Sequence, residues 1–118
     1  GAAQTINRII DVCPAGAQNQ IRSQLASMLR GVITQQLLPR AGGQGRCAAT
    51  EILVANDAVS NLIREDKCFQ LGTLMQAGAG MGMHTLNGDL ARLVQAGTIT
   101  QDAALRCSND KSDLKQFL

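Results

Sequence analysis

The 118-residue sequence predicts an α+β fold that is mostly α: two helices, a β-hairpin, then helices to the end. Three observations carry this. Apolar residues recur at steps of three and four over residues 1–33, two strand-like runs flank a glycine-rich turn, and helical spacing with capping residues returns from Asn56 onward. A hydrophobic fraction of 45% is ordinary for a globular chain and too high for a disordered one. No run approaches the roughly 18 apolar residues that a bilayer span needs. No apolar block follows a basic N-terminus either, so neither membrane insertion nor a signal peptide is expected.

Taken in order, AAQTINRIIDVCP places Ile6, Ile9, Ile10 and Cys13 on one stripe of a short helix ended by Pro14. Ile21, Leu25, Met28, Leu29, Val32 and Ile33 then form a second amphipathic stripe, with Arg22 and Arg30 off it. Somewhere after Ile33 the pattern changes, because VITQQLLPR reads equally as a strand, and propensity alone does not place the switch. The cluster Ala41-Gly42-Gly43-Gln44-Gly45 is a turn, and RCAATEILVAN alternates beyond it, so the two runs make a hairpin. Apolar groups on both faces of the second strand predict that it lies inside a larger sheet, and a hairpin alone needs covering helices. Asp57 is the expected N-cap of a helix whose inner face is Val59, Leu62 and Ile63. Leu71, Leu74, Met75 and Gly78 continue at helical spacing. Leu86, Leu90, Leu93 and Val94 define another helix, stopped by Gly97. Thr100 is placed to cap TQDAALRC with Asp102 in its first turn, and Ser112 to cap a last short helix. No internal repeat or low-complexity segment is visible.

Composition narrows the function classes. Phe69 and Phe117 are the only aromatics, too few for a base-stacking platform, and a net charge of +2 does not support steering toward nucleic acid. The charge is uneven: residues 1–46 hold five Arg against Asp11, while residues 47–118 hold six bases and eight acids. The basic half reads as solvated surface plus an intersubunit face. Cys13, Cys47, Cys68 and Cys107 are far apart, with no CxxC pair or Cys/His cluster, so no metal site is indicated. They read as small buried hydrophobes in a reducing compartment.

The chemistry-bearing motifs mostly fail on inspection. GAGMGMHT has no Lys-Ser/Thr after its last glycine, and the third glycine of a dinucleotide fingerprint would fall on Met83. These glycines are expected to end a helix and let segments approach. GGQGR is a hairpin turn. His84, the one histidine, has no nucleophile elbow to serve and reads as structural. Glu65 and Asp66, beside Lys67, read as a solvated helix end. No catalytic, cofactor-binding or metal-binding residue is identified in the chain.

Several stretches, in this order, resemble one family. GAAQTINRIIDVCP is similar to the segment just after the histidine box of the secretion ATPases, in particular the PilT-like ATPases of type IV pilus retraction and twitching motility. VITQQLLPR…GRCAATEILVAN resembles the strand pair that follows, AVSNLIRED the family's AIRNLIRE motif, and QAGAGMGMHTLNGDLARLVQAGTIT its C-terminal QTG…GMQTMDQAL…L…G.I segment. The likeness covers residues 2 to about 106.

This resemblance implies the C-terminal portion of a RecA-like P-loop ATPase domain. Residues 1–55 would be the end of the RecA-like core and residues 56–118 a helical C-terminal subdomain. Walker A, Walker B and the histidine box all precede this stretch in the family, so ATP and Mg would belong to the parent protein and not to this chain. The implied partners are the rest of the ATPase, neighbouring subunits of a homohexamer, and pilus or secretion machinery at the inner membrane, approached from the cytoplasm. Carried over residue by residue, the retraction motif is Ala58, Val59, Ser60, Asn61, Leu62, Ile63, Arg64 and Glu65. The family usually has Ile at position 59 and Arg at position 60. The loss of that charge at Ser60 leaves open a relative serving type IVB secretion or conjugation. Leu62 and Ile63 would pack, while Asn61, Arg64 and Glu65 would contact a neighbouring subunit. Two other readings are a free-standing helical adaptor and a small enzyme built on Cys68 or His84.

Overall fold

The computed structural model describes all of residues 1–118, as seven α-helices and one β-hairpin in a body of 50 × 29 × 23 Å. Helix α1 (Ala2–Asp11) buries Ala2, Ile6 and Ile10, a stripe advancing by four. Ile9 is left 44% exposed and Cys13 falls beyond the helix, so the predicted stripe is narrower than its apolar residues suggest. Pro14 opens a 3₁₀ turn at Ala15–Ala17 that leads into α2 (Gln18–Met28).

The second helix ends earlier than its spacing predicts. Leu29 turns to extended backbone, and Val32 and Ile33 belong to strand β1 (Gly31–Pro39). The cause is tertiary: β1 pairs antiparallel with β2 (Arg46–Val54) in register from Gly31 opposite Val54 to Pro39 opposite Arg46. That ladder supplies partners for backbone groups that an isolated helix end would leave unpaired. Arg40 N–H donates to the Gly45 carbonyl at 3.1 Å across the turn, where Gly43 and Gly45 both adopt φ of +75°. The glycine cluster is therefore a turn, as its composition predicts.

Within these residues the sheet has two strands, and β2 finds a partner on each side. The outer side of β2 meets a single bridge, in which Ile52 and His84 exchange backbone hydrogen bonds of 2.9 and 3.1 Å. Helices cover one face of the hairpin, where Leu38, Ala49 and Leu53 are buried.

Five helices follow: α3 (Asp57–Arg64), α4 (Leu71–Ala77), α5 (Leu86–Gln95), α6 (Gln101–Cys107) and α7 (Lys111–Phe117). Two caps differ from expectation by one or two residues. Asn56, not Asp57, caps α3: its backbone is extended and its Oδ1 accepts the Val59 N–H at 2.8 Å. Asp57 sits instead in the first turn, where its charge still favours the helix. Asp110, not Ser112, caps α7 by accepting from Asp113 N–H. Thr85 and Thr100 cap α5 and α6 through their hydroxyls, and Gly97 follows α5 at φ +74°.

Apolar side chains gather in two clusters joined through the hairpin. One holds Ile6, Ile10, Leu53, Val59, Ile63, Leu71 and Met75 from α1, β2, α3 and α4. The other holds Leu38, Ala49, Leu90, Ile99, Ala104 and Leu114 from both strands and the later helices. Leu53 and Ala49, four residues apart on one face of β2, anchor one cluster each.

Candidate functional site

The eight motif residues 58–65 lie on α3 and its C-terminal residue, and burial sorts them by helical phase. Val59 and Ile63, one turn apart, are almost wholly buried in the first cluster. Leu62 is half-buried against it. Ala58, Asn61, Arg64 and Glu65 are exposed. Of the expected inner face Val59, Leu62 and Ile63, Leu62 is thus the least deeply buried.

Ser60 faces inward. Its hydroxyl donates to the Ala26 carbonyl at 2.8 Å. Ala26 lies in the last turn of α2, whose final carbonyls lack intrahelical partners. Ser60 thus joins the C-terminal end of α2 to the middle of α3 with a hydrogen bond that a long charged side chain cannot reproduce in the same place.

The exposed side of α3 forms a short polar row. Arg64 Nη1 donates to Asn61 Oδ1 at 3.1 Å, one turn back. Glu65 and Lys67 stand 3.5 Å apart and well exposed, a pair worth little to stability. Beside this row Ala58, Leu62, Gln70, Thr73 and Leu74 line an open hollow of about 310 Å³ between α3 and α4. Phe69, in the 3₁₀ turn Cys68–Gln70, is 78% exposed. Asp66 adopts φ +59° and its carboxylate lies 3.5 Å from Arg22 Nε on α2. It is the one non-glycine residue in the left-handed region. Arg22, expected off the apolar stripe, is in fact mostly covered.

A second polar group holds the hairpin to α5. Thr50 N–H donates to Asp89 Oδ2 at 2.8 Å, Thr50 Oγ1 lies 2.8 Å from His84 Nε2, and Arg92 pairs with Asp89 Oδ1 at 2.7 Å. Glu51 accepts from Ala2 N–H at 2.6 Å and from Leu86 N–H at 3.1 Å, so one carboxylate serves the N-termini of both α1 and α5. Sequence reading passed over Glu51 and Asp89, since lone acids in an amphipathic pattern carry no signal of their partners. The geometry is not that of a nucleophilic triad. Asp89 bonds to the threonine rather than to the far nitrogen of the imidazole, so it cannot orient His84 as a base.

Two of the thiols, Cys68 and Cys107, are held back from the thiolate form that a nucleophile needs. Burial pushes the Cys68 thiol up from its ordinary 9.0, and the neighbouring Asp66 adds to that against a smaller opposing effect of Arg22. Burial also raises Cys107. A thiol held protonated does not attack. Only Cys68 is buried; Cys13, Cys47 and Cys107 are half-covered, and all four are free. No three His, Cys, Asp or Glu side chains converge as a metal-binding group.

Residues 78–82 do not fit a nucleotide. Gly78 ends α4, a 3₁₀ turn spans Ala79–Met81, and Gly82 closes it at φ +87° before Met83 turns into the core. A phosphate loop follows a strand, whereas this segment follows helix α4. No helix is long and apolar enough to cross a membrane.

No family model matches the chain. Curated relatives do. A twitching motility protein of Neisseria gonorrhoeae is 45% identical over 114 residues, which is 97% of this chain and 30% of that protein. The type IV pilus retraction ATPase PilT of Pseudomonas aeruginosa is 45% identical over 103 residues, 87% of this chain and 30% of that protein. Among solved structures, that of the pilus retraction motor PilT with bound ADP superposes with a TM-score of 0.85 at 41% identity, covering 97% of this chain and 31% of that one. The chain therefore spans about 30% of the length of the relatives it matches. The fold, mostly helical around one antiparallel hairpin, is that of the C-terminal region of such ATPases.

Proposed function

Since this chain is PilT-like along nearly its whole length, we propose that it works as the C-terminal part of a hexameric motor ATPase that powers type IV pilus retraction and twitching motility. Its own part is to make subunit contacts and transmit motion, with ATP and Mg held by a portion of the motor outside these 118 residues. Residues 1–55 complete the RecA-like core and residues 56–118 form the helical subdomain. The assembly sits on the cytoplasmic side of the inner-membrane pilus machinery. Service to a related secretion or conjugation apparatus is the neighbouring reading, favoured by Ser60 at the position where the family carries arginine.

One observation carries the proposal. The motif is split by phase into a buried half that locks α3 to α2 and a free polar half made of Asn61, Arg64 and Glu65. A helix that pushes on a neighbour needs both halves: rigid seating behind, and hydrogen-bonding groups in front. Motion generated at a distant nucleotide site then arrives at Asn61 and Arg64 as a rigid-body displacement.

The test is made in the longer protein. Arg64→Ala and Asn61→Ala are expected to abolish twitching while ATP binding persists. Twitching at the wild-type rate in both variants would overturn the assignment. In the 118-residue chain, millimolar ATP is expected to leave the melting temperature unchanged. A saturable rise of several degrees would mean that these residues bind nucleotide themselves.

A further inference from the structure

The charges of the last two helices are sorted by side. Asp110 caps α7, and Asp113 Oδ2 accepts from Asn87 Nδ2 of α5 at 2.8 Å, so both acids of α7 are engaged. Arg106 of α6 and Lys111 and Lys115 of α7 lie elsewhere. With Asp102 and Leu105 they line an open hollow of about 430 Å³ between the two helices. The ion pairs of the protein involve Arg22, Lys67 and Arg92, so none of these three cations is paired. Asp102, four residues before Arg106, is its natural partner on a helix. Arg106 Nε donates instead to the Asp102 carbonyl, at 3.3 Å.

This placement works against the helix that carries it. Lys111 is the first residue of α7, where the helix dipole disfavours a cation. Lys115 follows one turn later on the same face, and like charges at that spacing repel. Proteins keep such violations of local rules chiefly at functional sites. We propose that the hollow between α6 and α7 is a docking site for an acidic segment of a partner protein. Arg106, Lys111 and Lys115 against Asp102 leave it a local balance of +2. Lys111 and Lys115 stand about 6 Å apart along the helix. A chain bearing several carboxylates therefore meets them in turn and reaches Arg106 across the gap. Half-buried Leu105 gives such a chain an apolar wall to lie against.

Other anions fit less well. A flat lipid surface would bring its headgroups against Asp102 as well, whereas a protein segment enters the hollow. Nucleic acid finds no aromatic ring among the five lining residues on which a base could stack. A second copy of this chain offers one pair of adjacent acids, Glu65 and Asp66, and each already faces a cation, Lys67 and Arg22. A compact phosphate meets cations spread over two helices only in part.

Titrating deca-glutamate into the 118-residue chain, followed by amide NMR shifts, tests this. Saturable shifts centred on residues 102–115 are expected, with binding that weakens as salt is raised. No binding, or shifts centred elsewhere, would overturn the proposal. Lys111→Glu combined with Lys115→Glu is expected to weaken binding by about tenfold or more. Arg8→Glu combined with Arg30→Glu makes the same change of net charge at exposed sites on other elements and is expected to leave binding unchanged. Equal weakening by both pairs would mean that deca-glutamate senses only the total charge, and the site is lost. Lys111→Arg combined with Lys115→Arg keeps the charge and is expected to bind as the unaltered chain does. Loss of binding there would equally defeat the proposal. Two further probes name the other occupants. Sedimentation with vesicles of phosphatidylcholine and phosphatidylglycerol that requires Lys111 and Lys115, without any response to deca-glutamate, would give the hollow to a membrane. Pyrophosphate binding as tightly as deca-glutamate would make it a phosphate site. Either result would overturn the acidic segment.

Discussion

At position 60 a hydroxyl lies 2.8 Å from the Ala26 carbonyl, in a half-buried seam between two helices. Removing it leaves that carbonyl short of a partner, which costs about 1 kcal/mol. Ser60→Ala is therefore expected to lower the unfolding free energy by about that much in a denaturant melt. An unchanged midpoint would mean that water already serves Ala26. Cys68 offers a test by pH. The folded state holds the Cys68 proton more tightly than the unfolded chain does, because burial disfavours the thiolate. Below the ordinary thiol value of 9.0 the two states bind the proton alike, and nothing is gained or lost. As pH climbs above that value the unfolded chain ionises first, so stability falls. Cys68→Ala is expected to flatten this alkaline loss. An identical slope in the variant would assign the loss to other groups.

The elements show how caps and pairing set boundaries that periodicity leaves loose. Helix α3 begins at Asp57 because Asn56 Oδ1 reaches the Val59 amide. Asn56→Ala is expected to cost about 1 kcal/mol, and Asp57→Ala clearly less, since only a first-turn charge is lost. Equal losses would return the cap to Asp57. Asn and Asp are equivalent as cap-forming residues, so adjacent Asn56 and Asp57 could not be ranked from sequence; the same holds for Asp110 against Ser112. The end of α2 is left open by the sequence for a different reason. Val32 and Ile33 continue the spacing of Met28 and Leu29, and only the pairing with Leu53 and Ile52 draws them into a strand.

At the scale of the molecule, two apolar clusters share one hairpin, so damage at either is expected to reach both. Ile63→Ala and Leu90→Ala each empty a fully buried site in a different cluster and are expected to cost about 2–5 kcal/mol. Either variant is expected to melt in a single transition. Two separated transitions, with only one of them shifted, would show that the hairpin does not couple the clusters. Glu51 adds to this coupling, because its carboxylate receives the first amides of both α1 and α5. Its charge faces two helix N-termini, where an anion is favoured.

What the sequence determined by itself is local and repetitive. The hairpin and its turn, the helices after Asn56, the glycine stop at Gly97 and the buried pair Val59 and Ile63 follow from spacing and from backbone freedom, which neighbouring residues set. The order of motifs placed the chain among PilT-like ATPases through matched stretches rather than through any single site. The tertiary structure alone decided where α2 yields to β1, that Ser60 turns inward, that Glu51 and Asp89 serve backbone amides, and that the outer side of β2 meets His84. Each of these depends on a partner distant in sequence, between 34 and 49 residues away for the bonds of Ser60, Asp89 and Glu51. A pattern of residue types records what a position prefers, whereas contacts at that range are settled by how whole elements pack.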